Sequence, residues 1–151
     1  MHQNLVKTED FGIAWLEGSA CLLATVYPSM QGFRGVSTFF SNMRQCRSKT
    51  RADAWILDVR NARKIPEELW SWVESSWFPQ LVDEGLKRQA LLVPASGAAR
   101  SQWEHLQIND MKQEVLDSLP LAVSWISEDP NAPPARRRPI LTQLRAAGVS
   151  R

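Results

Sequence analysis

The stretch "AWILDVRNARKIPEELWSWVESSWFPQLVDEGLKRQALLVP", residues 54–94, decides how this chain folds. It begins inside a short apolar run with charged ends, 53–61, which reads as a strand buried on both faces. The run "RQALLVPA" at 88–95 has the same character and is closed by Pro94. Between them, Ile65-Pro66-Glu67-Glu68 has the form of a helix start, with proline in the first position and acids in the first turn. At about 100° per residue, Leu69, Trp70, Val73, Trp77 and Leu81 fall within about a third of the circle. Trp70 and Trp77 therefore belong to the buried stripe, and Trp72 projects from its flank. Pro79 has no N–H to donate and pushes Phe78 away from helical angles. A kink is expected near Trp77–Phe78, then a short turn from Pro79 to Glu84 capped by Gly85. Strand, helix and strand at this spacing predict that 54–59 and 89–93 lie side by side and parallel.

Upstream, "FGIAWLEGSACLLATVY" (11–27) holds two apolar runs, around Ile13–Leu16 and Ala20–Tyr27, separated by the turn signal "EGS". This pattern predicts a β-hairpin, ended by Pro28. Met30, Phe33, Val36, Phe40 and Met43 follow in steps of three and four, so a helix is expected there with Ser29 as its cap. Downstream, Ser96 or Gly97 is placed to cap a short helix carrying Trp103 and Leu106. Residues 111–119 read as a further helix, with Met111, Val115, Leu116 and Leu119 on one side. "LAVSWIS" (121–127) reads as a last strand. The composition then shifts to "EDPNAPPARRRP" (128–139), an extended linker. "PILTQLRAAG" follows as a short helix between Pro139 and Gly148. The expected organisation is one α/β domain over 1–128, with a Pro/Arg-rich linker and short helix over 129–151. The order of elements implies a four- or five-stranded mixed sheet, an N-terminal β-hairpin and helices packed on it.

Hydrophobic residues at 44% and charged residues at 23% are ordinary for a globular domain of 151 residues. A formal charge of +2 gives no electrostatic reason to expect nucleic acid or an acidic membrane as partner. Apolar runs such as "ALLV" at 90–93 are far too short to span a bilayer. No basic region followed by an apolar stretch marks a signal peptide. Cys21 and Cys46 are isolated, and two free thiols in a reducing, cytoplasmic setting are expected.

The same residues 54–94 resemble the small bacterial STAS-like, SpoIIAA-like proteins, which are related to the CRAL-TRIO lipid-binding fold. The matching motifs are Asp58-Val59-Arg60 at a strand end, Trp77-Phe78-Pro79 on the helix, and Gly85-Leu86-Lys87-Arg88 turning into the next strand. The resemblance implies a four- or five-stranded sheet with packed helices, and most members have no assigned function. STAS antagonists of anti-sigma factors switch by phosphorylation of a Ser or Thr beyond a central strand. The corresponding loop here, "RNARKIPEE", has no hydroxyl, so that switch is not expected. The segment 130–139 also departs from the pattern.

No catalytic constellation is visible. His2 and His105 have no positioned partner. G-x-S-x-G, a P-loop and G-x-G-x-x-G are absent, and the Cys and His spacings suit no metal. No cofactor is implied. Asp58 and Arg60 are the best polar pair, read either as an anion site at a strand end or as an ion pair anchoring the next loop, with Glu67 or Glu68 as further partners. Trp72, Trp77 and Phe78 complete the candidate binding residues. Trp72 suggests a protein contact. An apolar pocket under the kink is the competing use of the same rings. Three functions follow: a non-enzymatic module that binds a protein partner or itself as a homodimer, a carrier of a small apolar, lipid-like ligand, or an enzyme using Asp58 and Arg60 with an acid from 67–74. Arg136–Arg138 read as a solvated linker.

Overall fold

The structure is a computed structural model and describes residues 2–128. Six strands form one sheet in sequential order: β1 (His2–Lys7), β2 (Phe11–Leu16), β3 (Cys21–Val26), β4 (Ala54–Asp58), β5 (Arg88–Leu92) and β6 (Lys112–Val115). The first three are antiparallel neighbours, and β3 to β6 run parallel. The helices are α1 (Gly32–Thr50), α2 (Glu67–Trp72), α3 (Phe78–Asp83), α4 (Gly97–Glu104) and α5 (Leu119–Ser127). The fold is thus an α/β single domain with antiparallel strands at its N-terminal edge. The expected pairing of 54–59 with 89–93 is present, with Ala54 opposite Arg88 and Asp58 opposite Leu92.

Alternation along the strands sorts the side chains onto two faces. Phe11, Ile13, Leu22, Trp55, Leu57 and Leu91 point to one, where α1, α2, α3 and α4 cover them. Cys21, Ala54, Ile56, Ala90 and Leu92 point to the other, where Ala122 and Ile126 of α5 pack. Sequential strand order with repeated crossovers accounts for the crowding of the first face, since each helix returns on the same side.

The sheet has six strands, not four or five, and three local readings change with that count. Residues 2–7 form an exposed edge strand on β2 with a bulge between Asn4 and Val6. Its polar sequence carries no strand alternation, so only the pairing reveals it. Residues 112–115, expected as helix, form a strand beside β5. A chain of buried amides fixes its register: Trp55 Nε1 donates to Gln89 Oε1, Gln89 Nε2 to Gln113 Oε1 at 2.8 Å, and Gln113 Nε2 to the Leu106 carbonyl at 2.9 Å. Residues 121–127, expected as strand, are helical. Ser118 caps that helix, its Oγ accepting from the Leu121 N–H at 3.4 Å, and Pro120 sits in the first turn. A short continuous apolar run does not distinguish a buried strand from a buried helix.

The expected helix after Pro28 is present but begins at Gly32, after Gln31 rather than Ser29. The Ser29 hydroxyl instead donates to the Glu9 carbonyl at 2.8 Å. The linker and helix expected at 129–151 lie outside the described residues.

Candidate functional site

The candidate residues sit on two adjoining parts of the fold, the end of β4 and the helix that follows it. Asp58 is the last residue of β4, opposite Thr25 of β3 and Leu92 of β5. The Val59 N–H extends the ladder to the Leu92 carbonyl at 2.8 Å, and the Ala62 N–H then closes a turn onto the Val59 carbonyl at 3.0 Å. The turn folds Arg60 back onto Asp58. Oδ1 accepts from the Arg60 backbone N–H at 3.1 Å and from Nε at 3.0 Å, while Oδ2 accepts from Nη2 at 2.8 Å. Such a fork is a strong charge-assisted pair. The hydrogen bonds to Asp58 push the Arg60 guanidinium pKa up; burial opposes this and the charge of Asp58 adds to it.

The carboxylate is therefore occupied, and Arg60 does not reach Glu67 or Glu68. Glu67 pairs with Lys64 at 3.3 Å. The loop is held at its far end by Gln102 of α4, which sequence reasoning did not single out. Its buried amide accepts from the Ile65 N–H at 2.8 Å and donates to the Ile65 carbonyl at 2.6 Å. Asp58–Arg60 and Gln102–Ile65 thus pin both ends of one connection.

The helix after that loop meets Pro79 with a widened turn where a kink was expected. The turn over Val73–Trp77 widens, and the Phe78 N–H reaches back five residues to the Val73 carbonyl. Phe78 keeps helical angles (φ −63°, ψ −43°), contrary to the expected departure. A wide turn one step before a proline absorbs the missing N–H and the ring clash without ending the helix. Gly85 ends it at φ +121°, with its N–H on the Val82 carbonyl and the Leu86 N–H on the Leu81 carbonyl. The left-handed φ is what favours glycine here; a Cβ would lie 2.9 Å from Arg47 Nη1, the far end of a flexible side chain that can shift.

Leu69, Trp70, Val73, Trp77, Phe78 and Leu81 are buried, and Trp72 is half-buried on the flank. The rings form a continuous path. Phe33 meets Trp72 at 5.8 Å between centroids, Trp72 meets Trp77 at 5.4 Å, and Trp77 meets Phe40 at 5.2 Å. Phe78 packs edge-on against Phe40 at 5.5 Å. These ring contacts lie in the region where an apolar pocket was the competing expectation. The outer end of the path is open: Phe33 is 67% exposed. Phe33 was expected on the buried stripe of α1. It lies instead at the stripe's rim in the first turn, where the helix has only just begun and leans towards Trp72. Trp77 Nε1 is buried without a hydrogen-bond partner among the described residues. Trp72, Trp77 and Phe78 thus share one cluster. Asp58 and Arg60 form their own pair and have no hydrogen bond or ring contact with it.

His105 is exposed, with Nδ1 2.7 Å from the Ser101 carbonyl. Cys21 and Cys46 are free and buried. Burial pushes the Cys21 thiol up to about 12, against the opposing charge of Arg88, and burial also raises Cys46. Both stay protonated and are poor nucleophiles at neutral pH. Among the described residues no group of three or more His, Cys, Asp or Glu side chains is placed to hold a metal, and no helix is long and apolar enough to cross a membrane. In comparisons with known proteins, no family model, no curated protein and no solved structure matches this chain.

Proposed function

We propose that this protein is a non-enzymatic, STAS-like binding module that acts through protein–protein contact, forming a homodimer across the flank of the helix that carries Trp72. The observation that carries this reading is the exposed ring of Phe33 lying against half-buried Trp72. Large aromatic side chains standing clear of the core are the usual anchors of protein interfaces. Their inner neighbours, Trp77 and Phe40, are packed into the core, so the patch is held on a rigid base. The closed Asp58–Arg60 pair supports a structural role for the strand end, because both oxygens of the carboxylate already accept hydrogen bonds. The parallel order of β3 to β6 and the Asp58-Val59-Arg60 turn are in keeping with the STAS-like resemblance.

Trp72→Glu places an unpaired charge in the proposed contact and should cost several kcal/mol of association. Sedimentation velocity of wild type at tens of micromolar should give a dimer, and the variant a monomer with an unchanged circular-dichroism spectrum. A monomeric wild type, or a dimer that survives Trp72→Glu, removes the reading.

A second reading, a carrier of a small apolar ligand, is favoured by one feature on the opposite face. A groove of about 400 Å³ runs between Leu119 and Val123 of α5 and the strand residues Ala14, Leu16, Leu23 and Thr25. That size is within the range of small-molecule sites. Native mass spectrometry of the purified protein distinguishes the two, reporting a dimer mass or a co-purified ligand mass.

A further inference from the structure

The sheet face that carries α5 is covered unevenly. α5 lies over β4 and β5 and draws in to the 17–19 turn at its C-terminal end, where the Ser127 hydroxyl donates to the Ser19 hydroxyl at 3.1 Å. Beside its N-terminal half, Leu119 and Val123 wall the groove of about 400 Å³, and β1 to β3 supply the floor and the other rim. Strand register sets that floor in rows. Asn4 stands opposite Ala14 and Ala14 opposite Leu23; with Leu16 beyond, this part of the floor is mainly apolar. In the next row Lys7 stands opposite Gly12 and Gly12 opposite Thr25. Tyr27 reaches over the same glycine, its hydroxyl 3.6 Å from where a Gly12 Cβ would stand. Lys7, Thr25 and Tyr27 thus surround the one floor position that has no side chain. Among the described residues none of these three side chains has a hydrogen bond or ion pair. No Asp or Glu lines the groove, and His2 lies at its opposite end beside Leu16. The next acid along the row is Asp58, opposite Thr25, and its charge is already met by Arg60.

We propose that this groove binds a small amphipathic monocarboxylate, with its apolar body along Ala14, Leu23, Leu119 and Val123 and its carboxylate at Gly12, held by the Lys7 ammonium and the Thr25 and Tyr27 hydroxyls. This rests on the apolar-ligand reading given above and adds the charge of the ligand and the end at which that charge lies. The arrangement fits this class in three respects. A carboxylate only accepts hydrogen bonds, and its two oxygens have capacity for all three donors. One cation with no acid beside it matches a single negative charge, whereas a phosphate dianion calls for a second cation. A strand glycine lets a head group approach the backbone closely. The apolar walls then bury the body of the ligand, and burial of apolar area is the main source of affinity in a groove of this size.

Titration of the nitrogen-15-labelled full chain with 4-phenylbutyrate, followed by NMR, tests this. The amides of Gly12, Thr25 and Val123 should shift together. 4-Phenylbutyramide, the same body without the charge, should bind about tenfold more weakly, the worth of one hydrogen bond to a charged group. Lys7→Met should remove that difference and leave binding of the amide unchanged. Gly12→Val should abolish binding of both by filling the floor. The fold tolerates it: Gly12 has no left-handed φ, a Cβ there meets the Tyr27 hydroxyl at an ordinary 3.6 Å, and valine favours strands. Equal binding of acid and amide in the groove, or selectivity that survives Lys7→Met, overturns the proposed head-group site and leaves the apolar-ligand reading standing. No shift at Gly12, Thr25 and Val123 with either compound at millimolar concentration overturns both.

Discussion

The two faces of the sheet are built from the same strands and packed in different ways. On the face under α1 to α4, Trp55, Leu57 and Leu91 meet Phe39, Phe40, Trp77, Phe78 and Trp103. On the face under α5, Cys21, Ala54, Ile56, Ala90 and Leu92 meet Ala122 and Ile126, with no aromatic ring among these buried residues. Large rings fill the space between α1 to α4 and the sheet, whereas alanines mixed with aliphatic residues let the short α5 settle close to the strands. The difference shows how one alternating strand pattern supports two kinds of layer, one that gains its stability from ring volume and one from close approach.

That contrast can be broken at three points. Trp77→Ala removes a ring in contact with both Phe40 and Trp72 and should cost roughly 3–5 kcal/mol in urea melts. A loss below 1 kcal/mol would mean that the ring cluster does not depend on Trp77. On the other face the opposite change is the damaging one. Ala90→Leu adds volume under α5 and should cost about 1–3 kcal/mol by overpacking, because Ala90 and Ala122 are both fully buried in this layer. A neutral or stabilising result would show a void beneath α5 and end the small-residue account. The smallest effect belongs to the flank. Trp72→Ala should cost under about 1.5 kcal/mol, since this ring is only half-buried. A loss equal to that of Trp77→Ala would place Trp72 in the core and weaken the case for a contact there.

The legible parts of this fold share a property: the cause lies within a few residues. The buried stripe from Leu69 to Leu81 follows from spacing, the stop at Gly85 from its free backbone, and the hairpin from "EGS". Even there the detail depended on packing. Pro79 required some irregularity, and the cluster of Phe40, Trp77 and Phe78 accompanies a wide turn in place of a broken helix. The candidate site was legible to the same extent. Asp58 and Arg60 were identified as a pair, but their fork onto each other depends on how tightly the 59–62 turn closes. Phe33, the most exposed ring of the patch, belongs to a helix separated from Trp72 by the whole of β4. Its only sequence signal is its place at the rim of the α1 stripe.

By itself, the sequence determined the α/β class, the parallel pairing of 54–59 with 89–93, the hairpin, and which tryptophans of the 67–83 segment turn inward. These follow from periodicity, proline and glycine, which act through local backbone geometry and need no distant partner. Tertiary structure alone decided that 112–115 is a strand and 119–127 a helix, and that 2–7 completes the sheet. "KQEV" has no strand character until Gln113 meets Gln89 across β5, twenty-four residues away in sequence. "LAVSWIS" is apolar enough for either conformation, and it becomes a helix where Ser118 caps its start and the small residues of β4 and β5 leave room for it. Both segments are short, and in a short segment the free energy of long-range contacts outweighs the few tenths of a kcal/mol per residue that local preference supplies.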